Sequence, residues 1–169
     1  MSGPKIHFKY DKQLLYNTQK FIKDKSKVKI GILGSSVKGN YEGIDAVELA
    51  AVHEFGSISR NIPERSFLRK TYINYIEQFK SEFIAHKEYI QKQIISGNAE
   101  KVLNQIGAKW VGWVIETFEN EGPNWKPLSD ARIAQRSRTK RAKGNVAPEH
   151  FPILRDTGAL VRSITYEVE

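Results

Sequence analysis

The sequence predicts an α+β fold in which a small antiparallel sheet is packed by a long helical hairpin and short helices. Two segments, 27–33 and 162–168, alternate apolar and polar residues with the period of a half-buried strand. Between them, 67–96 and 98–119 carry apolar residues at spacings of three and four, which is the period of an amphipathic helix. A Ser-Gly-Asn turn separates these helices, so we expect them to pack antiparallel. We also expect the two strands to pair, with the helices on one face of the sheet.

The composition indicates one domain over residues 1–169. Of the 169 residues, 40% are apolar, and 3 Trp, 7 Tyr and 8 Phe provide enough bulk for a core. The absence of cysteine excludes a disulfide framework and thiolate chemistry. No apolar run is long enough to span a membrane, and the lysine-rich N-terminus lacks the apolar segment of a signal peptide. We therefore expect no membrane partner and no secretion by the usual route.

The first half of the chain carries clear start and stop signals. Residues 1–10 are predicted to be an N-terminal tail or a frayed strand, and 12–23 a short amphipathic helix. The Gly, Ser and Asn content of 34–43 favours a loop. Asp45 is a good N-cap for the next helix, and Gly56 stands where a residue in the left-handed conformation would end it.

The connection to the helical hairpin is predicted from turn residues. Residues 57–61 are polar and typical of a loop, and Pro63 excludes the helical conformation at Ile62. Ser66 is expected to cap the first hairpin helix, and Asn98 the second.

The second half is expected to be less regular. Ser129 is predicted to cap a short basic helix that ends near Arg136, and 137–148 is predicted to be a flexible basic loop because it has no apolar pattern. Residues 152–160 are expected to contain one turn of helix before the last strand.

The positive charge is concentrated in two segments. The net charge is +8, from 27 basic and 19 acidic side chains. Residues 1–30 and 126–143 each contribute +6, so the rest of the chain sums to −4. Such segments contact phosphates, dock on an acidic protein surface, or are simply solvated. The candidates for contact with DNA or a protein partner are Arg136, Arg138, Lys140, Arg141 and Lys143.

Enzymatic patterns are incomplete. The segment 156–159, Asp-Thr-Gly-Ala, is the active-site tetrapeptide of aspartic proteases, but such an enzyme needs two aspartates and several strands downstream, and only a short segment follows. We expect Asp156 or Thr157 to cap a short helix instead. His53-Glu54 lacks the second histidine of a zinc-protease helix, and we expect a charged His53 at its helix end. No phosphate-binding loop is present. We therefore predict no enzyme, no metal and no cofactor.

Four short motifs together resemble the virion-morphogenesis and tail-completion proteins of long-tailed bacteriophages. They are HEFG at 53–56, IPERSFLR at 62–69, WKPLS at 125–129 and LRDTGAL at 154–160, the last followed by SIT at 163–165. The resemblance covers about residues 28–169. In much of that superfamily the last two motifs come first, so this chain resembles a circularly permuted subgroup.

The resemblance implies a non-enzymatic structural protein that forms a ring, commonly sixfold, at the head-tail junction (the neck) or at the tail end of the virion, after assembly in the host cytoplasm. Its expected partners are further copies of itself and other neck, portal-adaptor or tail-tube proteins, with DNA in the lumen. Loops 57–61 and 137–148 would face neighbouring rings or the lumen.

A ring subunit needs two different contact faces. One predicted face consists of Phe55, Arg65, Phe67, Leu68 and Arg69. In it the two arginines pair with acidic groups and Phe67 is the anchor; the alternative is that Phe67 and Leu68 begin the core helix. The second functional hypothesis is a basic nucleic-acid-binding protein of a phage or mobile element, and an adaptor for acidic proteins is a third.

Overall fold

The structure is a computed structural model that describes residues 11–23, 25–33, 45–122, 124–145, 148, 150–154 and 158–169. Within these ranges the chain forms seven helices and two strands. In chain order they are α1 (Lys12–Lys23), β1 (Val28–Gly31), α2 (Ala46–Phe55), α3 (Leu68–Ala85), α4 (Lys87–Ile95), α5 (Ala99–Glu119), α6 (Asp130–Ala142), α7 (Ala159–Arg162) and β2 (Thr165–Val168).

The predicted pairing of the first and last strands is confirmed, and with it the α+β class. β1 and β2 are antiparallel, with Val28 opposite Val168. Beyond the strands, Lys27 and Glu169 exchange two backbone hydrogen bonds of 2.8 and 3.0 Å. Helix α5 packs against both strands. Both strands are shorter than predicted: β1 covers only Val28–Gly31, and β2 begins at Thr165 because residue 162 still belongs to a helix.

The predicted helical hairpin is present, but its first arm is two helices. α3 runs antiparallel to α5, as ring contacts show: Phe67 lies 4.8 Å from Phe118 at one end, and Tyr75 lies 4.9 Å from Trp113 further along. The prediction of one continuous helix over 67–96 is wrong, because His86 has φ −101° and ψ 13° and separates α3 from α4. The apolar stripe nevertheless continues, since α4 packs on α5 as well.

Two of the predicted caps are confirmed and two are wrong. The carboxylate of Asp45 accepts the amide of Val47 at 2.7 Å, and Ser129 caps α6. Asn98 makes no side-chain cap because its backbone, at φ −98° and ψ 30°, is not extended. Ser66 does not cap α3 either; its hydroxyl donates to Glu54 instead.

The predicted flexible loop over 137–148 is wrong for residues 137–142, which belong to α6. Helix α6 as a whole contains four Arg and three Ala, which favour helix, and the buried Arg136 fixes the middle of the helix against the body of the protein. The predicted tail 1–10, the loop 34–43 and the caps Asp156 and Thr157 lie outside the described residues.

The core brings together α2, the start of α3, α5, α7 and the segments around residues 125 and 153. Its buried apolar members are Ala50, Phe67, Val114, Phe118, Trp125, Ile153, Leu154, Leu160 and Ile164. Each of the four sequence motifs lies in this core or directly beside it.

Candidate assembly site

The carboxylate of Glu54, in the last turn of α2, caps the N-terminus of α3. One oxygen accepts the amides of Phe67 and Leu68 at 2.8 and 2.9 Å. The other accepts the Ser66 hydroxyl at 2.6 Å and the Arg69 amide at 3.0 Å. The first amides of a helix have no partner within the helix, and a negative charge there is favourable. Glu54 is only 5% exposed, so it replaces solvent at this helix end.

The hydrogen bonds keep Glu54 charged. Burial alone would raise its pKa, but the bonds from Ser66, Leu68, Arg69 and Phe67 outweigh burial and hold the pKa below the usual value for a glutamate. The first two motifs of the sequence are therefore joined by one ionised, buried side chain.

Arg65 joins the third motif to the second. Its Nε donates to the carbonyl of Lys126 at 3.0 Å, and an Nη donates to the carbonyl of Pro127 at 3.2 Å. In the opposite direction, the indole N–H of Trp125 donates to the carbonyl of Ser66 at 3.2 Å. Arg65 is 6% exposed, and burial with the nearby Arg136 lowers its pKa. These bonds fix the connector between α5 and α6.

The fourth motif completes the cluster through the core. Leu154 and Leu160 belong to the same buried cluster as Trp125. Arg136 of α6 donates to the carbonyl of Pro152 at 3.0 Å. Four motifs separated by as many as a hundred residues therefore form one structural unit, which we call the Glu54 corner: Glu54, Arg65, Ser66, Trp125, Leu154 and Leu160.

His53 is neutral at pH 7, contrary to the expectation from the helix dipole. Burial, together with the positive charges of Arg65, Arg132 and Arg136, lowers its pKa to about 4. The local cations and the loss of solvent outweigh the favourable effect of the helix end. Within the described residues, its Nδ1 is buried and makes no hydrogen bond.

The predicted interface residues divide into an inner and an outer group. Phe67 is 0% exposed and Arg65 is 6% exposed, so the expectation that these two residues contact a neighbouring subunit is corrected. Phe67 packs in the core, and Arg65 donates hydrogen bonds to carbonyls of its own chain. Leu68 is half-buried and packs against the core. Phe55 does face solvent, and the guanidinium of Arg69 lies 4.9 Å from the centre of its ring. Arg69 is exposed as well, but its acidic partners belong to its own chain: Nε donates to the Glu54 carboxylate at 3.2 Å and an Nη donates to that of Glu64 at 3.1 Å.

Sequence reasoning missed a second exposed apolar residue beside Phe55. Residues 57–62 form a small hairpin, closed by two backbone hydrogen bonds between Ser57 and Ile62 of 2.8 and 2.9 Å. Ile58 stands on this turn, fully exposed. The available signal was an isoleucine inside an otherwise polar turn.

One of the five residues of the predicted basic surface, Arg136, lies inside the protein. Arg136 is 8% exposed and bonded to the Pro152 carbonyl, so it is not part of the surface. Arg138, Arg141 and Lys143 are exposed on the last turns of α6 and just beyond it, and Lys140 is half-buried. Cations in the last turn also complement the helix dipole.

The structure gives no sign of a metal centre or a membrane span in the part of the chain that it describes. There, no three His, Asp or Glu side chains are grouped so as to hold a metal ion. None of the helices described is long and apolar enough to cross a bilayer. A scan against protein-family models found no match, and comparisons with curated proteins and with solved structures found none either.

Proposed function

We propose that this chain is a non-enzymatic structural subunit of a bacteriophage neck or tail-completion ring. The observation that carries the proposal is the Glu54 corner. Four motifs that resemble this family are spread over the chain, yet Glu54, Arg65 and Trp125 connect three of them by hydrogen bonds and the core connects the fourth. Motifs that meet in one place in the fold have a physical reason to occur together in one sequence, namely a shared scaffold.

The scaffold role also fits the chemistry of the motif residues. The Glu54 carboxylate and the Arg65 guanidinium are both buried and engaged in hydrogen bonds to their own chain. Neither is open to a substrate, whereas Phe55 and Arg69 lie at the surface of the same corner. Such an arrangement is suited to hold a protein-protein contact surface in a fixed shape.

The direct test is to locate the protein in virions. Electron microscopy of particles that carry this chain, together with copurification of portal or tail-tube proteins, is expected to place it in a closed ring, commonly sixfold, at the neck or tail end. Native mass spectrometry of the purified protein gives the number of subunits. Virions that lack the protein, or a chain that associates with no neck or tail component, would refute the proposal.

Binding to nucleic acid is the second candidate, and the exposed Arg138, Arg141 and Lys143 favour it. Against it, Trp125, the tryptophan next to the basic segment, is only 9% exposed and packs edge-on against Phe118, so it offers no face to a base. Affinity for random DNA should be measured against salt for the wild type and for Arg141→Glu. A steep salt dependence that weakens in the variant would favour this candidate.

A further inference from the structure

Both strands of the sheet leave their outer edges open. Hydrogen-bonded and non-hydrogen-bonded pairs alternate along an antiparallel ladder. Because Lys27 and Glu169 exchange two backbone hydrogen bonds, the next pair of residues and every second pair after it direct their N–H and C=O groups away from the partner strand. In the part of the chain that the structure describes, these outward groups form no hydrogen bond. They belong to Val28 and Ile30 on β1 and to Tyr166 and Val168 on β2.

Among the described helices, only α5 packs closely on the sheet, and it covers one face rather than the edges. The other described helices make at most slight contact with either strand. Tyr166 identifies the covered face, because a methyl group added at Gly107 of α5 would overlap its ring. Val28, Ile30 and Val168 are half-buried and share this face by the alternation of side chains along a strand. An edge with unpaired N–H and C=O groups is a template for pairing with another strand.

The other face of the sheet carries positive charge on one strand and negative charge on the other. Lys27 and Lys29 lie on the β1 side, Glu167 and Glu169 lie on the β2 side, and all four are exposed. Within one copy these two rows attract each other, since both lysines form ion pairs with Glu169. The register also places Lys29 directly opposite Glu167. The two open edges of the sheet are therefore complementary in charge.

These charges decide which edges of two copies pair. Two β1 edges would bring lysines next to lysines, and two β2 edges would bring glutamates next to glutamates, which is unfavourable on neighbouring strands. Pairing β1 of one copy with β2 of another places opposite charges side by side. The register found within one copy serves both rows best, because a shift of one residue would turn apolar side chains to the charged face and a shift of two would leave charges without partners.

We propose that the outer edge of β1 in one copy pairs with the outer edge of β2 in a second copy, antiparallel and in the register found within one copy, so that one sheet continues from copy to copy. Each contact leaves β2 of the first copy and β1 of the second open for further copies. Repeated head-to-tail contacts of this kind close into a ring when the rotation between copies permits. The inference rests on the proposed function, because a neck or tail-completion ring requires such a contact, and it names the strands that form it.

Disulfide trapping tests the contact directly, because the chain has no cysteine of its own. Lys29→Cys and Glu167→Cys proteins are mixed and oxidised mildly; each chain carries one cysteine, so a disulfide within a chain cannot form. We expect the mixed dimer to exceed both dimers of identical chains at least 10-fold. The control mixes Glu167→Cys with Lys92→Cys, which replaces an exposed lysine on α4, outside the sheet. A mixed dimer no more abundant than in this control would overturn the inference.

Charge reversal gives an independent readout. Lys29→Glu and Glu167→Lys each place like charges at the contact, and each is expected to weaken self-association about 5- to 30-fold in sedimentation experiments at low salt. In a mixture of the two variants, the reversed edge of one meets the reversed edge of the other, so association is expected to return to near the wild-type level. Mixing cannot repair a mismatch within a chain, so this recovery identifies a contact between copies, and its absence contradicts the contact. Circular dichroism checks that both variants are folded; if one is not, the trapping experiment decides.

The two proposals fail in different ways. If the wild type forms closed rings but Lys29→Cys and Glu167→Cys give no excess of mixed dimer, the contact between β1 and β2 is wrong and the ring function stands. If the mixed dimer forms selectively, yet the wild type closes into no ring and binds no neck component, the contact stands and the neck function is wrong.

Discussion

Replacing Glu54 by glutamine removes the negative charge on which the N-terminus of α3 depends while nearly preserving the volume of the side chain. In the wild type the carboxylate accepts hydrogen bonds from three consecutive amides, those of Phe67, Leu68 and Arg69, and from the Ser66 hydroxyl. Glutamine has only one oxygen to accept these hydrogen bonds, and its NH₂ group, which is itself a donor, would face other donors. At least one buried amide is therefore left without an acceptor.

The size of the effect follows from two contributions. A buried donor without a partner costs about 1–3 kcal/mol, and losing a charge at a partly buried helix end costs up to about 2 kcal/mol. We expect Glu54→Gln to lower the free energy of unfolding by about 2–4 kcal/mol. The matched control is Glu64→Gln, which removes an exposed partner of the same Arg69, 3.1 Å away, and should cost less than about 1 kcal/mol.

Urea denaturation at several pH values measures both variants. At pH 7 the midpoint for Glu54→Gln should fall with an unchanged slope, because the native surface is the same. The pKa of Glu54 is lowered in the folded state, so its contribution is complete above the usual glutamate pKa near 4.3 and is lost as the pH falls through the lower folded value. The difference from wild type should therefore shrink in acid. Equal stability of Glu54→Gln and Glu64→Gln at pH 7 would refute this account of the Glu54 corner.

Two further predictions concern His53 and the glycines of α5. Because the folded-state pKa of His53 is about 4, the unfolded chain binds a proton near pH 5 that the folded chain does not. The free energy of unfolding should therefore fall by about 2 kcal/mol as the pH is lowered from 7 to 5. His53→Gln should remove this pH dependence, and an NMR titration that finds the pKa of His53 near 6.5 would contradict the prediction. A methyl group added at Gly107 would overlap the ring of Tyr166, whereas one at Gly112 meets nothing within 4 Å. In thermal melts, Gly107→Ala should therefore destabilise by about 1–3 kcal/mol and Gly112→Ala should stabilise by about 0.5–1 kcal/mol; equal effects would exclude the close packing of α5 on the sheet.

The parts of the fold that the sequence predicted well are those set by local periodicity. The α1 bounds, 12–23, agree with the structure because the amphipathic pattern that predicts them is local to these residues. The pairing of β1 with β2 was predictable since a lone half-buried strand needs a partner. The first result depends on neighbours within a few residues, and the second on a choice among very few strands.

The parts that could not be predicted depend on distant contacts. Rules for helix caps search for Ser, Thr, Asp or Asn next to the helix, so they favoured Ser66. The cap is Glu54, thirteen residues before Phe67 in the chain and on another helix. Arg136 likewise gave no sign of burial, because a basic stretch without apolar periodicity is typical of a solvated surface.

The motif order, which is reversed relative to the family that we propose for this chain, is compatible with one shared scaffold. The contacts that join the motifs, from Glu54 to Phe67 and from Arg65 to Lys126, are tertiary, so they do not depend on which motif is translated first. The backbone bonds between Lys27 and Glu169 bring two ends of the motif-bearing region side by side. A chain joined there and opened at the turn between α4 and α5 would have the other motif order. Such a joint would displace α1, which contains no buried residue. The permuted chain would therefore keep every contact of the Glu54 corner.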